Sequence, residues 1–211
     1  WIIVDKPTGM TSTQVIGRVR RATQAAKLGH GGTLDPEATG LLPIALGEAT
    51  KTIPWCQDGS KIYTFTVRWG LATTTHDAEG EVTAESDVRP TREAIEAALP
   101  AFTGTITQIP PIFSALKING ERAYDLARRG ETPEMKPRQV VIKHFFLTDM
   151  PDENHSCFEV LCGKGTYVRA LGRDIAEHLG TLGHVPALRR TRVGPFTEAM
   201  AISVEKLDQY A

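Results

Sequence analysis

The chain has 211 residues, of which 41% are hydrophobic and 23% charged, the balance of an ordinary soluble globular protein. A chain of this length buries roughly 70% of its unfolded surface and needs no disulfide to hold it together. The net charge of −1 names no partner, but it is unevenly spread. Residues 77–100 carry seven acids against two arginines, 164–192 carry six basic residues against two acids, and 1–29 carry five basic residues against one acid. A neutral sum can hide a basic face in this way, although charge alone favours chance segregation on a solvated surface. No apolar run is long enough for a bilayer and no secretory signal is visible, which points to a cytoplasmic protein. The chain opens at Trp1 rather than at a methionine, so its N-terminus is expected to be missing. Cys56, Cys157 and Cys162 are an odd set with no disulfide or metal spacing, and read as buried structural thiols.

In chain order, Trp1-Ile2-Ile3-Val4 reads as a buried strand ending at the turn Asp5-Lys6-Pro7. Thr11 and Gln14 have capping-box spacing, and Val15, Ile16, Val19 and Ala22 continue as one helical stripe. Residues 29–40 are rich in glycine and turn formers, and 43–46 form a short apolar strand candidate. Residues 61–69 alternate, with Tyr63, Phe65, Val67 and Trp69 on one face. A helix over 91–99 is capped by Thr91 and stopped at Pro100. Asn119-Gly120 is a turn, followed by a helix from Glu121 that stops at Gly130. Residues 139–147 and 156–162 read as a hairpin with a polar loop between them. A helix over 167–179 carries Val168, Leu171, Ile175 and Leu179, and Leu188 to Val193 is a basic strand. Strands and helices do not alternate regularly, so the expectation is one mixed α/β (α+β) domain over 1–211 rather than a doubly wound parallel sheet.

The densest unusual segment is Gly29-His30-Gly31-Gly32-Thr33-Leu34-Asp35-Pro36. Glycines beside a histidine let backbone approach a ligand closely. Asp35 ahead of Pro36 also suits a helix start, with Asp as cap and Pro at the first helical position. Spacing alone leaves both roles open. Gly163-Lys164-Gly165-Thr166 is no phosphate loop, because Phe158 stands where the upstream glycine is required. Arg169 falls in the first turn of its helix, where the macrodipole disfavours a cation, and positions 165, 166, 172 and 173 hold no acid. It needs a remote anion, a buried carboxylate or a phosphate, unless it snorkels to water. Arg173 has Glu177 four residues on. The six histidines show no zinc spacing and no Ser-centred nucleophile elbow is present, so neither metal nor cofactor is expected.

The segment from Gly29 to Pro43, continuing into Gly47-Glu48-Ala49-Thr50-Lys51, resembles the signature of the TruB-type pseudouridine synthases. So do Asp5-Lys6-Pro7-x-Gly9-Met10, Lys61-x-Tyr63, Gln108-Ile109-Pro110-Pro111 with Ser114-Ala115-Leu116-Lys117, and Cys162-x-Lys164-Gly165-Thr166-Tyr167-x-Arg169, in family order over nearly the whole chain. The resemblance implies a pseudouridine synthase catalytic domain, with helices around a largely antiparallel sheet and an RNA-binding cleft. It implies a monomeric enzyme, needing no cofactor or metal, that flips the T-loop uridine of tRNA from its stack and isomerises it to pseudouridine. Asp35 would be the nucleophile and Arg169 its partner. Tyr63 would stack on the target base and Tyr167 and Leu188 would line its pocket. His30 would insert into the RNA, and Lys6 and Lys164 would contribute to binding the T-arm. Residues about 108–140 would form a mobile basic thumb. Without the resemblance, Tyr63 and Leu188 read as core and His30 as a satisfied loop histidine. A non-catalytic RNA-binding module on the same scaffold is the competing reading, set aside because the carboxylate of Asp35 stands with Tyr63 and Arg169. A nucleotide-binding enzyme is set aside for want of a phosphate loop. The family often places an acid just after the tyrosine strand, whereas here Thr73-Thr74-Thr75 precedes His76-Asp77, which leaves that acid's contact open. Bacterial members commonly add a small C-terminal RNA-binding (PUA) domain, for which a chain ending at Ala211 has no room.

Overall fold

The computed structural model describes residues 1–210. The first third forms β1 (Ile2–Lys6), α1 (Ser12–Thr23), β2 (Leu28–His30), β3 (Thr39–Leu46), α2 (Ile53–Asp58) and β4 (Lys61–Trp69). The middle forms β5 (Leu71–Thr73), β6 (Val82–Glu85), α3 (Arg92–Ala98), β7 (Gly104–Gln108), β8 (Lys117–Ile118), β9 (Glu121–Arg122) and α4 (Ala123–Arg128). The last third forms β10 (Arg138–Asp152), β11 (His155–Cys162), α5 (Val168–His178), β12 (Gly183–Val193), β13 (Phe196–Thr197), β14 (Ile202–Ser203) and α6 (Val204–Asp208). Helices and mainly antiparallel strands give the expected mixed α/β class. Two compact units result, Trp1–Thr64 with the chain from Leu188 onward, and Phe65–Ala187. Among the described residues, no helix is long and apolar enough to cross a membrane.

In the first unit β1 lies between β14 and β3, and β12 follows β3. β1 pairs antiparallel with β3, from Ile2 opposite Ile44 to Lys6 opposite Gly40, while β14 and β12 join in parallel. α1 starts at the expected capping box, with the Thr11 hydroxyl accepting from Gln14 N–H and Gln14 Oε1 from Thr11 N–H. Its Val15 and Val19 are fully buried against Val4, Leu42, Ile44, Val204 and Leu207, each worth roughly 1.5–3 kcal/mol in apolar burial. β3 is longer than its expected 43–46 because Gly40 extends it. Gly40 has φ +100, and a Cβ there would lie 2.2 Å from the Arg190 carbonyl, so only glycine lets β3 and β12 come this close.

In the second unit the sheet order is β4, β11, β10, β7. The hairpin of β10 and β11 is antiparallel, with register shifts that carry β10 on to Asp152, so the expected polar loop shrinks to Glu153-Asn154. Phe65, Trp69, Phe145 and Phe158 pack together with ring centroids 5.3–6.3 Å apart. The Trp69 indole N–H donates to Ser156 Oγ at 2.8 Å, satisfying its polar end. α5 buries Val168, Leu171 and Ile175. α3 keeps its Thr91 cap, but the chain continues through Pro100 as a 3-10 turn, Leu99–Phe102. The Asn119-Gly120 turn, both residues at positive φ, closes the β8–β9 hairpin. That hairpin takes Glu121 and Arg122, so α4 begins two residues later than expected. Cys56 and Cys162 are buried thiols, whereas Cys157 is only half-buried.

Candidate functional site

Of the residues singled out from sequence, Lys6, His30, Asp35, Tyr63 and Leu188 belong to the first unit and Lys164, Tyr167 and Arg169 to the second. Asp35 lies half-buried in the irregular segment between β2 and β3. No helix follows it, so Asp35 is no helix cap. Its carbonyl accepts Ala38 N–H at 3.1 Å in a turn instead.

The backbone around Asp35 is held at every step. Gly32 O and Thr33 O accept from Arg190 Nη2 and Nη1 at 2.9 and 3.3 Å, and Arg190 Nε donates to Leu41 O at 2.8 Å. Ser12 Oγ donates to Leu34 O and accepts from Leu34 N–H, both at 3.0 Å. Pro36 O accepts from Lys6 Nζ at 2.8 Å and from Gly9 N–H at 2.9 Å. Lys6 is fully buried and its ammonium also donates to Pro7 O and Met10 O at 2.8 and 2.7 Å, so all three of its protons go to carbonyls. Burial lowers the Lys6 pKa to about 8, the charges of Asp35 and Glu37 hold it up, and Arg190 lowers it further. Two buried cations thus spend their donors on carbonyl dipoles in and beside one loop, which offsets the burial of their charge. The result is a carboxylate on a segment with little freedom to move.

The glycines ahead of Asp35 serve packing as well. A Cβ on Gly29 would meet Ile53 Cδ1 at 2.6 Å and one on Gly31 would meet Cys56 Sγ at 2.3 Å. His30, half-buried at the end of β2, accepts Gly32 N–H at its Nδ1 (3.3 Å). Tyr63 stays half-buried although Phe65, Val67 and Trp69, further along the same face, are buried. Core packing alone therefore does not account for Tyr63. Leu188 is half-buried, and its carbonyl accepts the Thr39 hydroxyl at 3.5 Å.

In the second unit Arg169 is 5% exposed, and the anion its position demands includes Asp77, whose Oδ2 lies 3.5 Å from Nη1. Nη1 and Nη2 also donate to Thr75 O and Phe113 O, both at 2.9 Å. Asp77 is buried and well held. Its Oδ1 accepts from the Thr75 hydroxyl and from Glu79 N–H, and its carbonyl accepts the Thr73 hydroxyl at 2.7 Å. His76, at φ 61, turns the chain between these contacts, and its carbonyl accepts Val185 N–H at 3.0 Å. Burial first, then Arg173 and Arg169, lower the His76 pKa to about 4 against the pull of Asp77, so the ring is neutral near pH 7. Arg173 pairs with the adjacent Asp174 at 2.7 Å, not with Glu177 as spacing suggested. Tyr167 precedes α5, and its N–H and C=O are clamped by the Gln108 amide at 3.1 and 3.2 Å. The Arg138 guanidinium lies 4.9 Å from the centroid of the Tyr167 ring. Lys164 is exposed in the turn before it. Within residues 108–140, Arg122 and Arg128 flank the Tyr124 ring, while Arg129 pairs with Glu121 and Glu131.

Arg190, Ser12 and Gln108 were not singled out as site residues. A signal for Arg190 did exist. Arg189 and Arg190 are neighbours in a strand and must face opposite ways. Arg189 turns outward to Asp5 and Glu198, so Arg190 turns in.

Residues 20–168 match the model of the TruB family pseudouridylate synthase N-terminal domain, and 169–211 that of the tRNA pseudouridylate synthase B C-terminal domain. The chain is 60% identical over 208 residues to tRNA pseudouridine synthase B of Caulobacter vibrioides and 58% identical over 207 residues to that of Gluconacetobacter diazotrophicus. These matches take in 99% and 98% of this chain and 67% and 68% of those proteins. Among solved structures it resembles a chain of a Cbf5-Nop10-Gar1 complex (TM-score 0.77, 30% identity) and one of an H/ACA RNP bound to a substrate RNA containing 2′-deoxyuridine (TM-score 0.74, 26% identity). It covers 53% and 52% of those chains, while 99% of this chain is matched in each. The signature around Asp35, the family models and the relatives agree: the chain belongs to the TruB family of pseudouridylate synthases.

Proposed function

We propose that this chain isomerises the T-loop uridine of tRNA to pseudouridine, with Asp35 as nucleophile. Family membership supports the reaction. The observation that carries the assignment of Asp35 is its loop, in which every carbonyl from Gly32 to Pro36 accepts a hydrogen bond. A carboxylate so fixed meets its target without first reordering the backbone. The target base leaves its stack, and Asp35 attacks C6 of the base or C1′ of the ribose. The C1′–N1 bond breaks, the uracil turns, C5 bonds to C1′, the bond to Asp35 breaks and frees its carboxylate, and the C5 proton goes to water. Tyr63 stacks on the base, Tyr167 and Leu188 line its pocket, His30 enters the RNA, and Arg169 supplies positive charge. Exposed Lys164 and the arginines near Tyr124 contribute salt-sensitive phosphate contacts. For Lys6, whose protons are spent on three carbonyls, we propose a part in RNA binding only through the loop it holds.

The test is tritium release to water from tRNA labelled at C5 of uridine, with neither metal nor nucleotide added. Release is expected. Tight tRNA binding without release would move the chain to the non-catalytic class. Gly31→Ala is expected to slow release by roughly tenfold to a hundredfold, since small misplacements of reacting groups are that costly. The added methyl displaces Cys56 Sγ or the loop itself. Adding Cys56→Ala removes the thiol and should restore most of the rate; no restoration would mean that the clash lies elsewhere.

A further inference from the structure

Two arginines of the second unit meet on one neutral acceptor. Arg68, near the end of β4, and Arg89, after β6, donate through Nη1 and Nε to the same amide oxygen, Asn154 Oδ1, at 3.1 and 2.6 Å. Their other acceptors are carbonyls, Trp69 O for Arg68 and Ser86 O and Val88 O for Arg89. Among the described residues, therefore, neither guanidinium pairs with a carboxylate. Asp152, close to Asn154 in the hairpin turn, is spent on the His155 ring and the Asn154 N–H. One oxygen cannot hold two donors further apart than its two hydrogen bonds reach, so the cations are close and repel each other.

The cluster is held in place. The Asn154 N–H donates to Asp152 Oδ1 at 2.7 Å, and its carbonyl accepts Trp69 N–H at 2.8 Å. Arg89 lies over Gly70, at φ +85, where a Cβ would come within 2.2 Å of Arg89 Nη1, so glycine leaves room for the guanidinium. Donors also remain unspent. Arg68 Nε and Nη2, Arg89 Nη2 and Asn154 Nδ2 have no partner among the described residues, and none of them is among the buried unsatisfied atoms. Water reaches each of them, and so can a ligand.

Two guanidiniums with no acid between them call for an anion. A carboxylate spends both its oxygens on one guanidinium fork, whereas a tetrahedral phosphate has oxygens for two. We propose that Arg68, Arg89 and Asn154 form a binding site for a phosphate group, carried by an RNA backbone or free in solution. The site does not rest on the isomerase reading, which assigns none of the three residues a part in the reaction.

The test is the thermal midpoint of this chain against inorganic phosphate, with sodium chloride holding the ionic strength constant. Phosphate also stabilises folded chains by exclusion from their surface, so the reading is the saturable rise that Asn154→Asp lacks. That substitution keeps the shape of residue 154 and places a carboxylate where the two cations meet. The wild-type chain is expected to gain roughly 3–6 °C at about ten times the phosphate Kd. Asn154→Asp should start roughly 2–4 °C higher without phosphate, because it supplies the missing charge, and should show no saturable rise. No saturable rise in the wild-type chain, or the same rise in the variant, would overturn the proposal. So would a lower starting midpoint in the variant, which would mean that the two arginines lack no negative charge. The salt dependence of tRNA binding then names the source. A slope of log Kd against log salt that is shallower by roughly 0.7–0.9 in Asn154→Asp assigns the site to an RNA phosphate, and an unchanged slope assigns it to free phosphate.

Discussion

Asp35→Asn is expected to cut tritium release by on the order of 10⁴-fold or more, the scale of removing a nucleophile, while tRNA Kd stays within about twofold. Asparagine keeps the volume of aspartate and removes the nucleophilic charge. The loop should persist, because Arg190, Ser12, Lys6 and backbone N–H groups hold every carbonyl from Gly32 to Pro36. Phosphate contacts, which dominate RNA affinity, are untouched. Lys6 provides an internal check. The Asp35 charge partly offsets the burial that lowers its pKa, so the variant should move the Lys6 titration below about 8. Release near the wild-type rate would remove Asp35 from the nucleophile's role. A collapse of tRNA binding together with activity would show that the substitution damages the loop rather than the chemistry.

Local signals carried much of the fold. The Thr11–Gln14 capping box, the alternation from Lys61 to Trp69, the Asn119-Gly120 turn and the stripe of α5 each depend on residues close in sequence, and each stands where its pattern put it. Boundaries failed where distant residues decide them. β10 runs on to Asp152 because register shifts let β11 keep pairing with it. β3 begins at Thr39 because Gly40 admits the Arg190 backbone. The site shows the same division. The glycines, Asp35 and the demand of Arg169 for an anion were legible. The identities of the groups that hold the Asp35 loop were not, because Ser12 and Arg190 reach it across 22 and about 157 residues of sequence. Asp77 sat in plain view after the threonines, but its burial against Arg169 goes with a left-handed turn at His76, a conformation that histidine adopts more readily than most residues yet still uncommonly. Tyr63 is an intermediate case. Its place on the strand face was legible, and its exposure relative to Phe65 was not.

Arg169→Ala should abolish activity and destabilise the chain by roughly 3–5 kcal/mol, the usual consequence of removing one partner of a buried ion pair. The pair side chains are only 5% and 9% exposed, so solvent screening does not rescue the stranded charge. The carbonyls of Thr75 and Phe113 also lose their donors. For a chain of this size the midpoint should fall by roughly 10 °C or more. Asp77→Asn in the same chain separates charge from packing. The amide needs no cation, and its oxygen can still accept from Thr75 and Glu79 N–H, so much of the lost stability should return. Activity should not return, because the cation proposed to serve the reaction is still missing. A single variant that keeps its melting midpoint would show that Asp77 tolerates burial without Arg169. A double variant that regains full tritium release would show that Arg169 acts on structure alone.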